Sequence, residues 1–288
     1  MKRTISKEIE FEEGTGFLHG FSTGTVKVKS KFRTAKGGQL LSKINFLIDK
    51  DWTEEMPILV WVIDHPEGVI VIDTGENANV TQPDYFKEEG FILESINKNS
   101  FKFNVSPEEE VGNQLKRLGY EQKNISKVIL THLHLDHFDG LSFFDETPIL
   151  VHNKEWEKPS FALPSLYPEW FIPQKVKLYE NKTLEFESST SITESKEILL
   201  IHTPGHTYGH CSVLIKTKDI DYLLAGDVTY NQTQLIKNVN SGGHVNFKKS
   251  KNTFNAIKKY SKRKHLIYLP SHDNDSINRI TNNGILEI

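Results

Sequence analysis

The chain has 288 residues, 37 % hydrophobic and 10 % aromatic, enough to bury a large core in one big domain or two small ones. Its net charge of −3 gives no general attraction to polyanions, and no apolar run nears the roughly 20 residues of a membrane-spanning helix. The first eight residues lack the apolar core of a secretory signal, and Cys211 is the only cysteine, so a disulfide and a thiolate-rich metal site are excluded. A soluble, cytoplasmic protein is expected, with neither nucleic acid nor membrane as a partner.

Residues 1–35 are polar and weakly patterned and read as an N-terminal arm, followed by a single domain over 36–288. Strands are expected at 43–49, 58–64 and 69–73, the last two joined as a hairpin by His65-Pro66-Glu67-Gly68. Ser106 and Glu109 can form a capping box around Pro107, which starts a helix that Gly119 ends. Residues 127–131 form a short buried strand, and 138–144 continue into a loop or short helix. After a strand at 149–152, an aromatic segment at 156–171 either closes over a pocket as a lid or packs on the core.

Strands return at 176–179, 183–186, 198–202, 211–216 and 222–225, with Cys211 as a core residue of the fourth. Residues 248–264 hold eight Lys and Arg, but Phe247, Phe254, Ile257 and Ser261 share one helical face, so the charge reads as a solvated face. A last strand at 265–269 ends in Pro270-Ser271-His272-Asp273. Each half runs strands and then helix. This order implies two mixed sheets packed face to face with helices outside, an αββα sandwich.

The chemistry concentrates in Thr131-His132-Leu133-His134-Leu135-Asp136-His137, directly after a strand. In an extended segment His132, His134 and Asp136 project to one side while Leu133 and Leu135 face the interior, and His137 joins them only if the chain turns. That spacing suits two metal ions, with His132 and His134 on one and Asp136 and His137 on the other. His206, Asp227 and His272 each follow a strand as well. Alone, each reads as a structural residue; beside the first cluster, all three become candidate ligands.

The motifs T-H-L-H-L-D-H at 131–137, H-T-P-G-H at 202–206 and G-D at 226–227, with His272, resemble the metallo-β-lactamase superfamily over most of the chain. Within it, I-D-H-P-E-G-V-I-V-I-D-T-G at 63–75 and Asp227-Val228-Thr229-Tyr230 are similar to the N-acyl homoserine lactone lactonases, the quorum-quenching branch. The resemblance implies that His132, His134 and His206 hold one metal and Asp136, His137 and His272 a second, with Asp227 bridging. Two divalent ions follow, zinc by the family's habit, although this ligand set would also accept manganese, cobalt or iron. Asp73 would orient a ligand histidine, and His202 and His210 lie near enough in sequence to do the same.

By the same implication a hydroxide shared by the metals attacks the lactone carbonyl, which Tyr230 polarises, and Asp136 returns the proton to the leaving alkoxide. The expected partner is a small-molecule lactone, with a homodimer formed through the arm and the aromatic segment. A glyoxalase II-like thioester hydrolase and an iron-dependent oxidoreductase on the same fold are the alternatives.

Overall fold

The computed structural model describes residues 4–180 and 184–288. Its strands are β1 (Thr4–Phe11), β2 (Gly14–Val28), β3 (Met56–His65), β4 (Gly68–Ile72), β5 (Phe101–Asn104), β6 (Ile125–Leu130), β7 (Ile149–His152), β8 (Gln174–Val176), β9 (Tyr179–Glu180), β10 (Ser188–Ser191), β11 (Ile198–His202), β12 (Cys211–Ile215), β13 (Ile220–Gly226) and β14 (His265–Pro270). The helices are α1 (Ser30–Arg33), α2 (Gln39–Leu47), α3 (Gly90–Ser100), α4 (Val111–Arg117), α5 (Leu135–Phe138), α6 (Asn153–Glu157), α7 (Gln232–Ile236), α8 (Phe247–Ser261) and α9 (Ser276–Thr281).

Among the described residues one sheet runs β1-β2-β3-β4-β6-β7-β8, with β5 also paired to β2, and the other runs β14-β13-β12-β11-β10-β9. Both are mixed. In the first, β4, β6, β7 and β8 are parallel neighbours; in the second only β13 and β14 are.

Alternation within each strand builds the layers. Leu59, Trp61 and Ile63 of β3, with Ile72 and Ile129, meet Leu200, Val213, Leu224 and Ile267 of the other sheet in one buried cluster. The intervening residues face outward. Val60, Val62, Val71 and Val128 pack under Val111 and Leu115 of α4, while Leu214, Leu223 and Tyr268 pack under Phe254 and Ile257 of α8. Because both faces are covered, these strands read as unbroken apolar runs. The expected sandwich is the one observed.

Several expectations need correction. Residues 4–28, read as part of a polar arm, form β1 and β2; β1 pairs along its whole length with β2, and β2 pairs with β3. β1 is an edge strand with one wet face, and half-buried Lys7 interrupts the inward row of Ile5, Ile9 and Phe11, which weakens its alternation. Residues 43–49 are not a strand: they fall largely in α2, where Leu40, Leu41, Ile44 and Leu47 recur at helical spacing. The capping box at Ser106 and Glu109 is present, but it closes a 3-10 turn before α4 begins at Val111. The expected strand at 183–186 begins outside the described residues, and the strand that forms lies later, at β10.

Candidate metal centre

The seven candidate residues converge because the strand ends that carry them coincide. β4 and β6 run parallel and stop together, as do β13 and β14, and β11 shares their direction through β12. The Cys211 N–H donates to the Thr131 carbonyl at 2.9 Å and the Leu59 N–H to the Ser271 carbonyl at 3.1 Å, which ties the two rims together. His132 and His134 then leave β6 in extended chain, and the single turn of α5 swings His137 inward.

Two groups of ligand atoms result, His132, His134, His206 and Asp227 in one and Asp136, His137 and His272 in the other. His206 Nε2 lies 3.2 Å from His132 Nε2 and 2.9 Å from His134 Nδ1. Asp227 spans both groups. Its Oδ2 is 3.3 Å from His206 Nε2, while its Oδ1 is 3.3 Å from His137 Nε2 and 3.4 Å from His272 Nε2. Asp136 Oδ2 sits 3.3 Å from His272 Nε2.

Hydrogen bonds outside the cluster decide which nitrogen of each ring faces in. His137 Nδ1 donates to Asp73 Oδ2 at 2.8 Å, His272 Nδ1 to the Pro57 carbonyl at 2.9 Å, and His134 Nε2 to the Ser160 carbonyl at 2.9 Å. His132 Nδ1 lies 3.1 Å from the Thr131 hydroxyl, which itself donates to Asp73. With those protons held outside, lone pairs of His134, His137 and His272 point inward. His137 Nε2 and Asp227 Oδ1 are buried without a hydrogen-bond partner. Buried lone pairs facing one another without donors are costly, and a cation between them removes the cost. The donor set therefore fits two divalent ions, and the outer hydrogen bonds are of the kind that orient metal-binding imidazoles.

The charge balance agrees. Burial, then the neighbouring imidazoles, hold His132 well below the usual histidine range, so it is a neutral donor. His137 and His272 move the other way. Burial would lower both, but Asp73, Asp227 and Asp136 around His137 outweigh it, and Asp227 and Asp136 lift His272 to about 10. Two carboxylates in this small buried space demand positive charge, which protonated imidazoles supply when no cation does.

Tyr230 reaches the same rim. Its ring stacks on His272 with centroids 5.3 Å apart, over Val26, Val28, Met56 and Ile58. Burial, then Asp227 and Asp136, push its phenol well above the usual range, so it remains a proton donor. It lines a cavity of about 350 Å³ together with Arg33, Met56, Gln232, His272 and Asp273.

The aromatic segment at 156–171 is divided. Trp156, Tyr167 and Phe171 pack together and, with Phe138, against the core, whereas Phe161 is exposed with its ring 6.4 Å from that of His134.

Sequence reasoning joined His202 and His210 to the site's surroundings, and only His210 is there. The Asp227 N–H donates to His210 Nε2 at 3.0 Å, whereas His202 bonds the Tyr208 carbonyl and lies against His152. It missed Glu155. On α6, Glu155 accepts from the Leu133 and Gly209 N–H groups and the Thr207 hydroxyl, joining the His132–His134 segment to the His206 loop. No motif marks this carboxylate; only the fold brings it to both loops. His244 also borders the site: its buried ring lies 5.6 Å from that of His206 and bonds Ser250 on α8.

The Metallo-beta-lactamase superfamily model matches residues 53–272. An N-acyl homoserine lactonase of a Bacillus species is 30 % identical over 193 residues, covering 66 % of this chain and 71 % of the relative. N-acyl homoserine lactonase AttM of Rhizobium radiobacter is 26 % identical over 179 residues, 59 % of this chain and 64 % of AttM. In structure, an N-acyl homoserine lactone hydrolase with N-hexanoyl-L-homoserine at its catalytic metal center superposes with a TM-score of 0.68 at 21 % identity, over 91 % of this chain and 94 % of that one. AidC, a dizinc quorum-quenching lactonase, superposes with a TM-score of 0.63 at 15 % identity, over 95 % and 92 %.

Proposed function

The chain belongs to the metallo-beta-lactamase superfamily, and on that premise we propose that it is a dinuclear metal-dependent hydrolase opening the ring of N-acyl homoserine lactones. The observation that carries this reading is the inward convergence of five imidazoles and two carboxylates beside a buried, protonated phenol. His132, His134 and His206 would hold one ion, Asp136, His137 and His272 the other, and Asp227 both. Zinc is the proposed metal, since nitrogen and carboxylate donors without thiolate suit it.

Bound there, the ions would polarise the lactone carbonyl and lower the pKa of the attacking water. The residues supply the rest. Water oxygen bonds to the carbonyl carbon and its proton passes to Asp136, which lies at the site's more open edge. Tyr230 donates a hydrogen bond to the carbonyl oxygen as negative charge grows there. When the ring C–O bond breaks, Asp136 returns its proton to the departing oxygen, giving N-acyl homoserine. The cavity beside Tyr230 and His272 offers room for substrate. Within this reading the protein works in the cytoplasm, as a homodimer that covers exposed Trp170 and Ile172 at the end of the aromatic segment.

The test is hydrolysis of N-hexanoyl homoserine lactone, followed by proton release in weak buffer, with metal assayed and His134→Ala as control. About two metals per chain with ring opening that the control loses is the expected result. Two bound metals with an intact lactone would overturn the substrate reading. Tyr230→Phe should lower turnover on the order of a hundredfold at unchanged metal content; equal turnover would remove Tyr230 from the mechanism.

A further inference from the structure

The amphipathic pattern of α2 is reversed. Its inner side is polar or only half-buried: Ser42 is fully buried, Phe46 lies against Phe32, and the Gln39 amide grips the Val245 carbonyl and the Phe247 N–H. Its outer side is aliphatic. Leu40 (76 % exposed), Leu41, Ile44, Leu47 (68 %) and Ile48 (65 %) form one stripe at helical spacing. Scattered exposed aliphatics are ordinary, but a continuous stripe marks a surface that is covered in use. The stripe continues to the metal centre: Lys43 lies over the exposed ring of Phe161, at 6.0 Å, and Phe161 neighbours His134.

Charge identifies what covers it. From Lys29 to Lys50 the chain carries six Lys and Arg; Lys31 is paired with buried Asp49, Arg33 with Glu54, and Lys29 lies over Trp52, which leaves Lys36, Lys43 and Lys50 as the cations beside the stripe, although the whole chain is net negative. A second copy would bring the same positive surface against this one. An anionic lipid surface complements it, with aliphatic side chains entering the acyl boundary and flanking lysines meeting the headgroups. No helix among the described residues is long and apolar enough to cross a membrane, so the contact is interfacial. We propose that the outer face of α2, with Lys36, Lys43 and Lys50, docks this protein on anionic phospholipid membranes and turns the rim of the metal centre toward the lipid. This departs from the sequence expectation of no membrane partner. Resting on the lactonase reading, one consequence follows: long-chain acyl lactones, which partition into the same boundary, reach the site from the membrane.

The experiment is flotation of the metal-loaded protein with vesicles of phosphatidylcholine alone or mixed with phosphatidylglycerol. Binding to the mixed vesicles only, weakening as salt is raised, is expected. Lys36→Gln and Lys50→Gln should each lower binding roughly fivefold, and Leu40→Ala with Leu47→Ala should lower it more than about tenfold. These variants should keep the wild-type melting curve and short-chain lactone turnover, separating docking from folding and catalysis. Equal flotation of wild type and the leucine variant, or none with either vesicle, overturns the proposal. So does a wild-type dimer that the leucine variant converts to monomer, since a second copy would then cover the stripe. Flotation without lactone hydrolysis would defeat the lactonase reading and leave the docking intact.

Discussion

Asp73 shows how much a single residue outside the proposed ligand set can carry. It sits just beyond β4 at φ 60°, accepts from the Thr131 N–H at 2.7 Å and the Thr131 hydroxyl at 2.9 Å, and holds His137 by its Nδ1. Asparagine tolerates that left-handed backbone far better than alanine does. Asp73→Asn therefore isolates the lost charge and acceptor from backbone strain. It should keep the fold and weaken metal binding about 10–100-fold, measured by competition with a chromogenic chelator. Unchanged affinity would mean that Asp73 shapes only the turn.

At the scale of elements, α6 depends on a carboxylate between two loops. Glu155 is 1 % exposed, and Gly209 approaches so closely that a Cβ there would lie 2.1 Å from the Glu155 nitrogen. Burial raises the Glu155 carboxyl to about 6, against the pull of Thr207, Leu133 and Gly209. Since its folded pKa exceeds the unfolded one, the group's contribution is fully present below about pH 4.5 and is lost as pH rises through about 6, by about 2 kcal/mol. Glu155→Gln turns an NH2 group toward backbone or hydroxyl donors and should be less stable at every pH. The gap between wild type and variant should narrow as pH rises from 4.5 to 7 in urea unfolding. A gap independent of pH would show that Glu155 does not titrate in this window.

The same scale explains what the sequence made legible. β3, β4, β6, β11 and β12 stand out because strands buried on both faces are unbroken apolar runs, and the candidate ligands follow strands directly. β1 and α2 did not. β1 has one wet face, and α2 turns its aliphatic side outward, so neither pattern follows the burial rule used to read it. Glu155 and His244 escaped for another reason: they touch the site only through loops that the fold brings together.

Across the whole molecule, the candidate metal centre lies where the two layers meet. His132, His134, Asp136 and His137 follow β6 of one sheet, whereas His206, Asp227 and His272 follow β11, β13 and β14 of the other. Bound ions would thus cross-link the rims of both sheets, and below them the layers are joined mainly by apolar contact among residues such as Ile129, Leu200 and Ile267. Because the unfolded chain scatters the proposed ligands over 141 positions of sequence, ions should bind the native state far better and stabilise it by mass action, each by about 4 kcal/mol at a free concentration a thousandfold above its Kd. Removing metal should lower the melting temperature measurably, and restoring zinc should recover it. Ile129→Ala acts in the core instead, costing about 2–5 kcal/mol through the cavity it leaves. Melts of wild type and Ile129→Ala, each with and without metal, separate the two: the metal-dependent shift should be nearly the same in both, since Ile129 is not a ligand. A metal-dependent shift that vanishes in the core variant would mean that the ions stabilise the protein only through that core, and not by joining the rims.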